Sequence, residues 1–234
     1  MDLILIGKGK MNRLVESLAG MQGHRVVQVI DGPGDWKSGW APGLVAIDFS
    51  VPGAVLDNLE RALLAGIPVV IGTTGWYHRL AEARQLVERS SVAAIYGANF
   101  SPGVNAFYRI VAAAARALPA EYGVFVSEAH HRQKKDAPSG TAGRLAEVLA
   151  GAGRPPESMT SIRCGAIPGT HTVGFDAEAD SITLTHTARS RRGFAEGALL
   201  AARWLPGRRG LFEFSEVFDA LVAAPPGPGA GEMS

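Results

Sequence analysis

The first hundred residues switch repeatedly between short apolar strands and helical segments, and that alternation restricts the fold more than any other feature. "LILIG" is a continuous β-favouring run suited to a strand buried on both faces. "KMNRLVESLAG" follows, with Leu14, Val15 and Leu18 at helical spacing and Gly20 as a stop. "HRVVQVID", "LVAIDFS" and "PVVIGTT" read as further strands, with the helix "VLDNLERALLAG" between the last two. "LAEARQLVERS" and "VAAIYGANFS" repeat the helix-then-strand order. Strands regularly separated by helices imply an α/β fold with a parallel, doubly wound sheet.

The pattern changes after Asn99. "NAFYRIVAAAARAL" is a long apolar helix, "GVFVSEAH" a strand and "TAGRLAEVLAG" a helix. In "THTVGFDA" and "SITLTHTA", Val173, Phe175, Ile182 and Leu184 recur at period two, which predicts an antiparallel or mixed sheet with unlike faces. "RGFAEGALLAARWL" returns to helical spacing, and "AAPPGPGAGEMS" has a disordered composition. The expected organisation is a first domain over residues 1–101 and a second, α+β domain over 102–191. Residues 192–234 form a helical return to the first domain and a tail.

Composition removes several functions. With 234 residues, 47% hydrophobic, the chain has ample material for one or two cores. A formal net charge of +1 argues against a general nucleic-acid binder, which needs a domain-wide basic excess. The single cysteine, Cys164, excludes a disulfide framework and a cysteine-rich metal site. No apolar run approaches the roughly 20 residues of a membrane span, and Asp2 stands where a leader would carry basic charge. The expectation is a soluble, cytoplasmic protein without membrane or nucleic-acid partners.

"GKGKMN" places Gly7 and Gly9 between the first strand and the first helix, where a Rossmann-like fold holds a pyrophosphate. Lys8, Lys10, Met11 and Asn12 complete that turn, and Asn12 stands where a third glycine is usual. Asp31 ends the second strand, placed either to accept from ribose hydroxyls or to open the turn before Gly32. No arginine follows it to meet a 2′-phosphate, whereas Lys8, Lys10 and Lys37 are available, so NADH and NADPH both remain open. Gly72, Thr73 and Thr74, and likewise Gly97, Ala98, Asn99 and Phe100, follow parallel strands on the ligand-binding edge. They are candidate cofactor contacts, or tight turns and nothing more.

"EAHHRQKKDAPSGTA" gathers the cations of a locally basic run just before a helix. Ser139, Gly140 and Thr141 form a helix N-terminus, with Ser139 or Thr141 able to cap it and free N–H groups that attract an anion. Lys134 adds a full positive charge, so a small carboxylate suits the site better than a polyanion. His130 and His131 can donate or accept a proton near neutral pH. Adjacent histidines are badly spaced to share one ion, and no metal is expected.

In order along nearly the whole chain, "GKGKMN", "DFSVPGA", "GTTGW", "ANFSPGVN", "EAHHRQKKDAPSGTA", "RCGAIPGTHTVGF" and "HTARSRRGFAEGA" closely resemble the 4-hydroxy-tetrahydrodipicolinate (dihydrodipicolinate) reductase family of lysine and diaminopimelate synthesis. The resemblance implies hydride transfer from NADH or NADPH on the first domain to a small cyclic dicarboxylate on the second. It makes His130 the proton donor and Lys134 its catalytic partner, and puts His131, Ser139, Gly140 and Thr141 around the substrate. Asn105, Arg163 and Arg191 fall in family motifs without a fixed role. A homotetramer built through the second domain's sheet is the family's usual assembly. Two other readings fit the residues: a reductase of the same fold acting on another carboxylated imine or keto acid, and a dinucleotide sensor without turnover.

Overall fold

The computed structural model describes residues 1–37 and 39–223. The tail beyond Ala223, expected to be disordered, lies outside them. The chain divides into two compact units, one formed by Met1–Ser101 with the segment from Phe194 onward and the other by Pro102–Gly193.

Up to Ser101 the elements are β1 (Asp2–Ile6), α1 (Lys10–Met21), β2 (Arg25–Ile30), β3 (Leu44–Asp48), α2 (Val55–Leu64), β4 (Val69–Ile71), α3 (Leu80–Glu88) and β5 (Ala93–Tyr96). The second unit contributes α4 (Pro102–Ala117), β6 (Gly123–His130), α5 (Gly140–Gly151), β7 (Ser158–Arg163), β8 (Thr170–Asp176) and β9 (Ser181–Thr187). The described residues finish with α6 (Arg192–Trp204), β10 (Gly210–Glu213) and α7 (Phe218–Ala223).

In the first unit six strands run parallel in the order β10-β5-β4-β3-β1-β2. All five residues of β3 are buried, as expected for a central strand covered on both faces. Strands β2 and β3 lie on opposite sides of β1, so the chain reverses its direction of travel there. Such a switch point opens a crevice at the carboxyl ends of the strands. Strand β10 was not foreseen. It is a four-residue edge strand entered through Gly210 at φ +105°, too short to show periodicity.

The sheet of the second unit is mixed, in the order β7-β6-β8-β9. Helix α5 carries the chain from β6 to β7, which makes that pair parallel, whereas β8 and β9 pair antiparallel. Val124, Val126, Val173 and Phe175 turn one face of this sheet toward Val104, Phe107 and Val111 of α4 and Leu145 and Leu149 of α5. Residues alternate along a strand, so the next side chains of β6 on that same face are Glu128 and His130. Their partners in register are His171 on β8 opposite Glu128, and Arg163 on β7 beside His130. One sheet face is thus apolar along most of its length and ionisable at its end.

Candidate active site

The glycine turn of the first unit is built around contacts that side chains would obstruct. Gly7 has φ +101°, and a Cβ there would lie 2.7 Å from the Phe49 carbonyl oxygen. Gly9 caps α1 in an extended conformation with no side-chain hydrogen bond to the first turn. Asn12, 2% exposed, donates from Nδ2 to the carbonyls of Ile6 and Gly7, both at 2.7 Å. Its amide therefore pins the turn from beneath. Lys8 reaches the Asp31 carboxylate at 3.3 Å, and both side chains remain about half exposed.

Gly7, Lys8, Gly9 and Asp31 line a cavity of about 430 Å³, together with Phe49 and Ser50 and with Asn58 and Arg61 of α2. Lys10 and Met11 open α1 beside this cavity without lining it. A positive-φ glycine, an uncapped helix N-terminus and an acidic residue at the end of β2 fit a dinucleotide's pyrophosphate and ribose.

Of the other candidates from the sequence, several side chains are engaged inside the unit. Gly72 leaves room for the Phe49 ring, which a Cβ would meet at 2.1 Å. Thr73 is buried, donates from Oγ1 to Asp48 at 2.9 Å and accepts from the Ser50 N–H at 2.8 Å. Burial raises the Asp48 carboxyl, against the bonds from Ser50, Asn58 and Thr73. Gly97 packs under Phe214, and Phe100 is a core residue in ring contact with Phe214 at 4.6 Å. Asn99 accepts from the Ser101 N–H, whereas Thr74 and Ala98 are exposed.

The second unit assembles a tighter group. His130, 8% exposed, hydrogen-bonds through Nδ1 to Glu128 Oε2, and Glu128 is 1% exposed. Arg163 grips that carboxylate with both terminal nitrogens, at 2.7 and 2.9 Å. The Ser139 N–H adds a bond to Glu128 Oε1 at 3.2 Å. Burial alone would raise the Glu128 carboxyl, but the bonds from Arg163, Ser161 and His130 together outweigh it and hold it at about 2. Ser139 is the N-cap of α5, its Oγ accepting from the Ala142 N–H at 3.2 Å and bonding His171 Nε2 at 3.0 Å. Burial, with the nearby His130 charge, brings His171 down to about 4, so this ring stays neutral.

Lys134 is largely shielded and pairs with Asp136 at 2.9 Å. The Asp136 carbonyl in turn accepts from Arg163 at 2.5 Å, which ties the basic loop to β7. His131 is half-buried, and its Nδ1 has no hydrogen-bond partner. Gly140 and Thr141 open α5, Asn105 is fully buried on α4, and Arg191 is exposed ahead of α6. Glu128, His130 and His171 each offer a ligand atom within 4.8 Å of the others, a spacing that would suit a metal ion. The guanidinium already bound to Glu128 opposes a cation there.

Residues 1–100 match the family model described as "Dihydrodipicolinate reductase, N-terminus", and residues 103–218 match "Dihydrodipicolinate reductase, C-terminus". The chain belongs to the dihydrodipicolinate reductase family. A 4-hydroxy-tetrahydrodipicolinate reductase from Christiangramia forsetii is 36% identical to it, covering 94% of this chain and 99% of the relative. One from Methanoculleus marisnigri is 41% identical over 70% of this chain and 71% of the relative. Among solved structures, the dipicolinate-bound dihydrodipicolinate reductase from Paenisporosarcina sp. TG-14 superimposes with a TM-score of 0.75 at 22% identity, covering 93% of this chain and 99% of that one, and so shares the fold.

Within this dihydrodipicolinate reductase family member, Glu128 and His171 are neighbours of His130 that the sequence reading did not single out. Glu128 had a readable signal, because residues two apart on a strand share a face. His171 had none, since its position depends on the β6/β8 register.

Proposed function

We propose that this chain reduces 4-hydroxy-tetrahydrodipicolinate, by way of dihydrodipicolinate, to tetrahydrodipicolinate, using NADH or NADPH. Family membership over nearly the whole chain carries the reading. The glycine turn, Asp31 and the cavity beside them would hold the dinucleotide. When bound, its reduced nicotinamide supplies the hydride. His130 delivers the accompanying proton from Nε2, since Nδ1 is committed to Glu128. Lys134, His131 and the α5 N-terminus at Gly140 and Thr141 hold the carboxylates. Ser139 serves that end of the helix as its cap. The setting is cytoplasmic, where nicotinamide cofactors are available; among the described residues no helix is long and apolar enough to cross a membrane.

The direct test is loss of reduced-nicotinamide absorbance with freshly made hydroxytetrahydrodipicolinate. Both cofactors should work, with kcat/KM values within about tenfold of each other, or roughly 1.4 kcal/mol. Asp31 would accept from ribose hydroxyls, while Lys8, 3.3 Å from it, can turn to a 2′-phosphate. A preference of a hundredfold or more for either would defeat this account of the cofactor site.

The assembly we propose is a homotetramer formed through the mixed sheet. The face not covered by α4 and α5 carries Phe125 at 39% and Ile162 at 50% exposure, next to the paired threonines Thr172 and Thr185. Exposed apolar groups on a flat sheet face favour burial against another copy. Light scattering at micromolar concentration should give four chains, and Phe125→Lys should give smaller species. A monomeric parent protein would reject the assembly.

A further inference from the structure

We propose that Glu128 is the positioning residue for the proton donor: it fixes the His130 ring with Nε2 forward and stabilises the protonated ring, while Arg163 keeps the carboxylate aligned. The inference rests on the reading of His130 as proton donor. Four contacts support it. Glu128 bonds Nδ1 of His130, which leaves Nε2 as the nitrogen able to deliver a proton. Arg163 from β7 and the Ser139 N–H at the start of α5 both hold the same carboxylate, so it has little freedom to turn away. At the other edge of the ring Gly169 has φ +147°, and a Cβ there would stand 2.9 Å from Nε2. A side chain at position 169 would crowd that nitrogen.

The charged and titratable groups around His130 are Glu128 on its own strand, Arg163 on β7, His171 on β8 with His186 beside it on β9, and Lys134 in the following loop. Glu128 is the carboxylate bonded to the ring, and so the group that balances an imidazolium. A glutamine there loses that charge and can also turn its NH₂ toward Nδ1, which selects the wrong tautomer.

Glu128→Gln should lower kcat at least about tenfold, with the cofactor KM unchanged. The alkaline limb of its rate profile should move to lower pH by about one unit, the size expected when a charge-assisted bond becomes a neutral one. In a His130→Gln background the second substitution should cost less than about twofold, because Glu128 then has no donor to position. Nitrogen NMR of the His130 ring supplies a readout that needs no turnover: Nδ1 should carry the proton of the neutral ring in the parent protein, and lose that bias in Glu128→Gln. If the NMR result holds but the parent protein does not reduce the substrate, the functional reading fails and the positioning stands. Should Glu128→Gln fail to fold, Arg163→Gln tests the same chain of contacts, with a smaller loss in the same direction. The inference is overturned if the folded variants keep kcat within about twofold of the parent with the limb unmoved. A loss that adds in full to that of His130→Gln would overturn it equally.

Discussion

Replacing His130 with glutamine is expected to lower kcat by at least about a hundredfold, with a much smaller change in substrate KM. The magnitude is the lower end for removing a general acid from the reacting centre. Glutamine keeps the size of the side chain and a hydrogen-bonding end, so Glu128 and Arg163 need not be left without company. The pH profile supplies the more specific test. Activity of the parent protein should decline on the alkaline side, and the variant should lack that limb. His131→Gln provides the contrast. Its ring does not share the Glu128 contact, and its expected effect falls mainly on KM. Equal and small losses of kcat in both variants, with the alkaline limb retained, would remove His130 from the role.

Lys134→Ala is expected to raise the substrate KM and reduce kcat/KM by roughly ten- to a hundredfold, corresponding to about 1.5–3 kcal/mol for a charge-assisted contact. The loss grows if Lys134 also assists proton transfer. The ammonium is paired with Asp136 at 2.9 Å, which holds the lysine in place within the basic loop. Binding of the nicotinamide cofactor should barely change, because the glycine turn and its cavity belong to the first unit. Calorimetric titration of cofactor and of dipicolinate into the variant separates the two effects. A variant that lost cofactor affinity while keeping substrate affinity would reverse this division of labour.

Much of this architecture could be read from residue spacing, for identifiable physical reasons. The buried central strands appear as uninterrupted apolar runs, and α1 as Leu14, Val15 and Leu18 on one face. Ser139 announces the start of α5 because a hydroxyl ahead of a helical run satisfies its first N–H groups, and the observed bond to Ala142 is of that kind. The parallel pairing of β6 with β7 was hidden, since it depends on how far α5 carries the chain and not on any local pattern. The engagement of Thr73 with Asp48 was hidden for the same reason. A threonine after a strand looks identical whether its hydroxyl faces a ligand or a buried carboxylate 25 residues away. Asn12 looked like a missing glycine, and its amide instead ties the turn to the end of β1.

The shared sheet face has a consequence for how such an enzyme can change over time. Val124 and Val126 set the depth at which β6 sits beneath the helices, and Glu128 and His130 continue from them along the same strand. A core substitution that lifts or tilts β6 reaches His130 without crossing a flexible joint. Mutations selected for heat tolerance in this core would therefore also be filtered by turnover. Volume-conserving exchanges should survive that double filter more often than those that gain or lose a methylene. The residues least free to drift would then include plain valines that touch no ligand.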